Sequence, residues 1–170
     1  MPKQVMLNCP YLDELEKIEL RKANDYPDIV PVALRILERM KFMKPKEKII
    51  MICGPMWSGN RTKEENLRLF NQATKAFENA GYHIFKQMIF AQSMIRIQGI
   101  QGYTYPNIEL LEEFYGKIFD KKLIDRLLFM PGSEHSYGAK WEHHQAEARP
   151  IDFIDLPDDF KEKLLLGERF

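Results

Sequence analysis

From Ile49 onward, short apolar runs alternate with amphipathic stretches of helical spacing, a pattern that confines the chain to a parallel sheet with helices on its faces. Ile49-Ile50-Met51-Ile52-Cys53 reads as the first buried strand, and Gly54-Pro55 ends it. After the loop MWSGNR, Thr62 and Glu65 have the spacing of a capping box at a helix start. Leu67, Phe70, Ala73, Phe77 and Ala80 supply that helix's apolar stripe, and Gly81 its stop. Tyr82 to Met88 alternates as a second strand. Residues 90–107 are rich in Gln, Gly and Tyr without a clear period, which predicts a functional loop or lid. A helix over 108–125, a strand over Leu127–Met130, a helix over Ser136–Arg149 and a strand over Ile151–Ile154 follow, and Pro157 suits the first turn of a last helix. The expected architecture for 49–170 is an α/β fold, a flavodoxin- or Rossmann-like open parallel sheet with helices on both faces.

Residues 1–48 read as a helical N-terminal extension. Leu12, Leu15 and Ile18 form one stripe; Val30, Ala33, Leu34, Leu37 and Met40 form a second, with the turn-like Asn24-Asp25-Tyr26-Pro27 between them. The second stripe is strong enough to cover apolar surface, either on its own domain or on a neighbouring subunit. At 170 residues the chain suits one domain with this segment attached.

Composition narrows the function classes. Lys plus Arg is 25 and Asp plus Glu is 25, so no net field steers the chain onto a nucleic-acid polymer or an anionic membrane. Its apolar runs fall far short of the ~20 residues that a spanning helix needs. The start lacks the charged region, apolar core and cleavage site of a signal peptide, so a cytoplasmic location is expected. Cys9 and Cys53 do not make a disulfide framework, and Cys53, within an apolar run, is expected to act as a small hydrophobe.

Two loops fall where an open parallel sheet binds ligands, beyond the carboxyl ends of its strands. The first, Gly54-Pro55-Met56-Trp57-Ser58-Gly59-Asn60-Arg61, leads into a helix N-terminus, where backbone N–H groups and a guanidinium favour an anion. Glycines at such a place also serve as ordinary turn chemistry. The second loop runs from Met130 into the helix that starts near Ser136. Ser136 sits where an N-cap or a phosphate-binding hydroxyl would sit, Gly138 lets a ligand approach the backbone, and Glu142 lies on the second turn. Helical side chains lean toward the N-terminus, so Glu142 reaches back over the crevice, about 9 Å along the axis from Ser136 before that lean. A carboxylate there could stabilise or attack an oxocarbenium-like sugar carbon; a solvated helix carboxylate is the plain alternative.

In order and form these loops resemble the nucleoside 2-deoxyribosyltransferase superfamily, including its nucleotide N-glycoside hydrolase branch. The resemblance is carried by CGPMWSGN with NLRLFNQATKAFENAGYHIF, and by LLFMPGSEHSYGAKWEHHQA, and covers about Ile49 to Ile154. The superfamily's Ser/Asp-x-Gly-x-x-x-Glu segment matches Ser136, Gly138 and Glu142, which implies that Glu142 is the nucleophile. Serine rather than aspartate at 136, with Arg61 as a possible partner, implies a nucleoside 5′-monophosphate, which an aspartate would repel. The Asp that the family places eight residues before the close of the preceding helix corresponds to Lys117 here; Asp120, one turn away, is the nearest candidate for its catalytic part. His143 and His144 replace the small residues usual after the nucleophile. The Pro-Gly-Gly-x-Gly-Thr-x-x-Glu segment of the cytokinin-activating phosphoribohydrolases is partly echoed by Pro131, Gly132, Gly138 and Glu142, without the second glycine and the threonine.

Other residues have two readings. Met56 and Trp57 either stack on a base or pack against the following helix. Tyr103 and Tyr105 either close over a ligand or anchor their loop; Arg96 is the cation of that segment, with surface solvation as its plain role. His135, His143 and His144 lack the spacing of a shared metal-ligand face. The expected activity is hydrolysis of the N-glycosidic bond of a nucleoside 5′-monophosphate, with Glu142 and Asp120 catalytic and Gly54, Pro55, Met56, Trp57, Gly59, Arg61, Ser136 and Gly138 binding substrate. No metal or organic cofactor is expected. Base exchange between nucleosides and a non-catalytic nucleotide sensor are the alternatives. The partner is a small-molecule nucleotide, and the resemblance implies a homo-oligomer.

Overall fold

The computed structural model describes residues 9–56 and 60–170. Helices α1 (Glu14–Lys22) and α2 (Tyr26–Met43) precede strand β1 (Ile49–Cys53) and helix α3 (Lys63–Asn79). Then come β2 (His83–Ile84), a 3-10 turn over Gln87–Phe90, and α4 (Ala91–Gln101). Helix α5 (108–120) carries a π-helical turn at Leu111–Gly116; β3 (Arg126–Phe129), α6 (Tyr137–Ala148), β4 (Asp152–Asp155) and α7 (Phe160–Leu165) complete the chain. All four strands are parallel in the order β2-β1-β3-β4, a Rossmann-like α/β sheet.

Strand parity divides the core. Ile49, Met51 and Cys53 of β1, with Leu127 and Phe129 of β3, point to the face covered by α2, α4, α5 and α6. Ile50, Ile52, Ile84 and Leu128 point to the other, where Phe70, Ala73 and Phe77 of α3 and Phe160 and Leu164 of α7 cover them. The connection leaving β1 therefore goes to one side and the connection leaving β3 to the other. Their carboxyl ends are adjacent, with Cys53 paired to Phe129, and this is the topological switch point at which such sheets bind ligands.

The second N-terminal stripe covers the chain's own sheet. Ile29, Val32, Ala33, Ile36, Leu37 and Met40 are buried in the same cluster as Met51 and Phe129, so the extension is part of this core. Asp25 caps α2 in a capping box with Asp28. The first stripe behaves differently from its expectation: Leu15 and Ile18 are exposed, whereas Glu16, Leu20 and Ala23 are buried. The α3 capping box forms as its sequence requires, with Thr62 Oγ1 accepting from Glu65 N at 3.2 Å.

Residues 90–107 depart most from expectation. Rather than one long loop, they form the three-turn helix α4, which buries Ser93, Met94 and Ile97, followed by a short connection over 102–107. Arg96 is not a solvated cation: its Nη2 donates to Leu20 O at 2.7 Å and Ala23 O at 2.8 Å, capping the C-terminal end of α1. The second strand is shorter than the alternation suggested, because Gln87 leaves the ladder and turns inward.

Candidate active site

Ser136 is the N-cap of α6, its Oγ accepting from Ala139 N at 3.4 Å. Helical geometry then brings Glu142, six positions on, back toward the sheet edge, where its side chain is buried at 5 % exposure. Opposite stands the end of β1. Parity turns Cys53 toward α6, on the face of the sheet that α6 covers. Gly54 follows at once; a Cβ there would lie 3.1 Å from Met130 Cβ, so any larger residue would press Met130 back by a few tenths of an ångström. From α5, the π turn carries Leu111 and Tyr115 to the same place; π turns recur at functional sites because they displace side chains from regular helical register.

Gly54, Leu111, Tyr115, Ser136 and Glu142 line a small cleft of about 80 Å³. Its floor is Gly54, Ser136, Gly138, Ala139, Glu142 and Tyr115; its rim is Met56, the connection 103–107 and Tyr137. Tyr103 and Tyr105 are exposed at 68 % and 59 %, so they do not anchor their segment to the core. Asn107 does so instead, its Nδ2 donating to Tyr26 OH at 2.8 Å while its Oδ1 caps α5 at Leu110 N.

Among the described residues, Glu142 is the only carboxylate lining the cleft, and no Lys, Arg or His lines it. Burial without a cation raises the Glu142 carboxyl to about 8, against a weaker downward pull from the Cys53 thiol. Burial also pushes the Cys53 thiol up, and the nearby Glu142 charge adds to this. The Tyr115 hydroxyl is raised by the same two causes in the same order. At neutral pH the cleft thus presents a carboxylic acid and a phenol, both uncharged.

Other sequence-expected residues fall elsewhere. Asp120 lies at the far end of α5 and is exposed, its Oδ1 held by Arg149 Nε and Nη2 at 2.9 Å; it does not line the cleft. Arg61 and Pro55 line a neighbouring cavity with Met130, Pro131, Asp158 and Lys161, on the α3 and α7 side of the loop. Arg61 reaches across to the left-handed Gly132, where a side chain would come within 3.5 Å of its Nη1. Arg61 and Ser136 line different cavities. Gly54, Met56, Ser136, Gly138 and Glu142 do converge. Trp57 and Gly59 lie outside the described residues. His143 packs between Phe129 and Phe153 beside Glu147 and Asp155, and no group of His, Cys, Asp or Glu among the described residues is arranged to hold a metal.

Pattern reading missed Tyr115 and Gln87. Tyr115 OH donates to Gln87 Oε1 at 2.5 Å, and Gln87 Nε2 donates to Ile52 O at 2.5 Å. A glutamine inside an apolar run was the available signal, because a buried amide requires partners. No family model, no curated protein and no solved structure matches the chain. Among the described residues, no helix is long and apolar enough to cross a membrane.

Proposed function

We propose that the cleft hydrolyses the N-glycosidic bond of a nucleoside 5′-monophosphate, with Glu142 as nucleophile. The observation that carries this reading is a lone buried carboxyl facing an otherwise uncharged cleft at the switch point of the sheet. A carboxylate oxygen bonds to C1′ as the bond to the base breaks; the base leaves with the electron pair and takes a proton, and water then cleaves the glycosyl ester and restores Glu142. Ionisation of Glu142 is costly in the empty site. It becomes favourable as positive charge develops on the sugar, which ties the charged form to the transition state. Ser136 and the first N–H groups of α6 receive the phosphate, a task in which Arg61 takes no direct part from its separate cavity. The exposed apolar rim, Tyr103, Tyr105 and Tyr137, supports closure of the mouth by a second copy of the chain.

The placement of Asp120 in an ion pair with Arg149, away from the cleft, favours one other reading, a nucleotide sensor without turnover. Release of free base from ribo- and deoxyribonucleoside monophosphates and from unphosphorylated nucleosides separates the two. Release from a monophosphate, abolished in Glu142→Gln, is the expected outcome. Saturable binding with no release by the parent protein selects the sensor, and exchange of bases without net hydrolysis selects a transferase.

A further inference from the structure

A second cavity, lined by Pro55 of the loop that follows β1, is larger than the Glu142 cleft, about 390 Å³ against 80 Å³, and of a size that holds small molecules. It lies between the start of α3 and the start of α7, against Met130 and Pro131 at the carboxyl end of β3. Pro131 and Phe160 belong to its apolar wall, and Asn66, buried at 3 % exposure, adds a neutral polar group. Three charged residues complete the lining: Arg61 just before α3, and Asp158 and Lys161 at the start of α7. Two cations thus face one carboxylate.

Arg61 differs from the arginines that hold the fold together. Arg35, Arg39, Arg126 and Arg149 are each paired with a carboxylate, and Arg96 with two carbonyls. Among the described residues Arg61 has no such partner, and neither Lys161 nor Asp158 is paired. The guanidinium is nonetheless placed: a Cβ on Gly132 would lie 3.5 Å from its Nη1, so the side chain spans from the start of α3 to the turn after Pro131, along the edge of the cavity. Cations from two separate elements that converge on one cavity without neutralising partners are satisfied by an anion between them.

We propose that this cavity binds a phosphomonoester, with the phosphate between Arg61 and Lys161 and the organic body against Pro131 and Phe160, at a site separate from the Glu142 cleft. A guanidinium and an ammonium arriving from different elements suit an acceptor whose three oxygens point in different directions, and the excess of cations suits its charge. Inorganic phosphate shares that chemistry but leaves the apolar wall wet. The site does not depend on the hydrolase reading, in which the substrate's phosphate is received at the start of α6.

The test uses full-length protein labelled with 13C at the methionine methyls, because Met130 lines this cavity and Met56 the cleft. The two signals are assigned by their loss in Met130→Leu and Met56→Leu. Phenyl phosphate, titrated at constant ionic strength, should shift the Met130 signal saturably and leave that of Met56 in place. Inorganic phosphate should act at the same signal with about tenfold lower affinity, because it covers no apolar surface. Arg61→Ala and Lys161→Ala should each weaken phenyl phosphate by about tenfold or more, as for loss of a charged hydrogen bond, whereas Asp158→Asn should not weaken it. Both alanine variants remove a side chain without a partner among the described residues, and their ligand-free methyl spectra check that the fold is kept. No saturable shift of Met130, a shift of Met56 alone, or affinity unchanged in both alanine variants overturns the proposal. Equal affinity for the two probes also overturns it, since the cavity would then take an adventitious ion only. Base release is measured separately; its absence removes the hydrolase reading and leaves this titration to decide.

Discussion

Two glutamates of this chain are buried almost equally, Glu16 of α1 at 2 % exposure and Glu142 of α6 at 5 %, yet their surroundings are opposite. Glu16 accepts from Arg35 Nε at 3.0 Å, from Arg39 Nη2 and, through its second oxygen, from Asp13 N at the start of its own helix. Both oxygens have donors, two of the three cationic, and the result is a clamp between α1 and α2. Beside Glu142, among the described residues, no Lys, Arg or His lines the cleft. Burial alone therefore does not mark a reactive carboxyl; burial without compensation does, and the fold tolerates its cost where a ligand can enter.

The comparison breaks most sharply on exchanging each carboxylate for its amide. Glu142→Gln is expected to lower base release by a factor of about 10³ or more, as for loss of a nucleophile, measured at substrate saturation. The same substitution should stabilise the fold. Its folded carboxyl, at about 8, lies above the ordinary value of 4.5, so the native state keeps a proton that the unfolded state releases. Stability associated with this group is full below pH 4.5 and is lost as pH rises from there to about 8. Denaturant unfolding of the parent and Glu142→Gln should diverge across that interval, by on the order of 4 kcal/mol at its upper end. Parallel curves at pH 5 and pH 9 would sink the claim that Glu142 is uncompensated. Glu16→Gln should act in the opposite direction, destabilising by about 2 kcal/mol at pH 7, a figure reduced because Arg35 and Arg39 are more than a third exposed.

The same pair explains which parts of the molecule the sequence made legible. Thr62 with Glu65, the Ile49–Cys53 strand and the Ser136 start of α6 are local features whose signals lie within a few residues, and they form where expected. Glu142 was locatable because its distance from Ser136 is a helical spacing. Glu16 was not, because an apolar stripe through Leu15 and Ile18 was the simpler pattern, and a buried charge is intelligible only once Arg35 and Arg39 arrive from another helix. Helix α4 was obscured in a related way: Ile95 and Ile100 are exposed beside the buried Met94 and Ile97, blurring the period, and no side chain caps its start. Tyr115 and Gln87 are 28 positions apart, and Gln87 and Ile52 35, so their chain exists only in the folded sheet.

Two smaller effects sharpen the contrast between residues the fold gathers and those it leaves apart. Ser136→Ala removes the α6 N-cap and should cost about 1 kcal/mol. Under the proposed reading it also raises KM for monophosphates while leaving unphosphorylated nucleosides unaffected; an equal rise for both would place the phosphate elsewhere. Asp120→Asn should do least. The side chain is more than half exposed and its one partner is Arg149, so the ion pair contributes below about 0.5 kcal/mol. Being absent from the cleft lining, it should alter kcat/KM less than about twofold, within the scatter of surface substitutions. A loss near that of Glu142→Gln would mean that α5 rearranges when substrate binds and swings Asp120 into the cleft, and the lone-carboxyl account of the site would have to be replaced by a paired one.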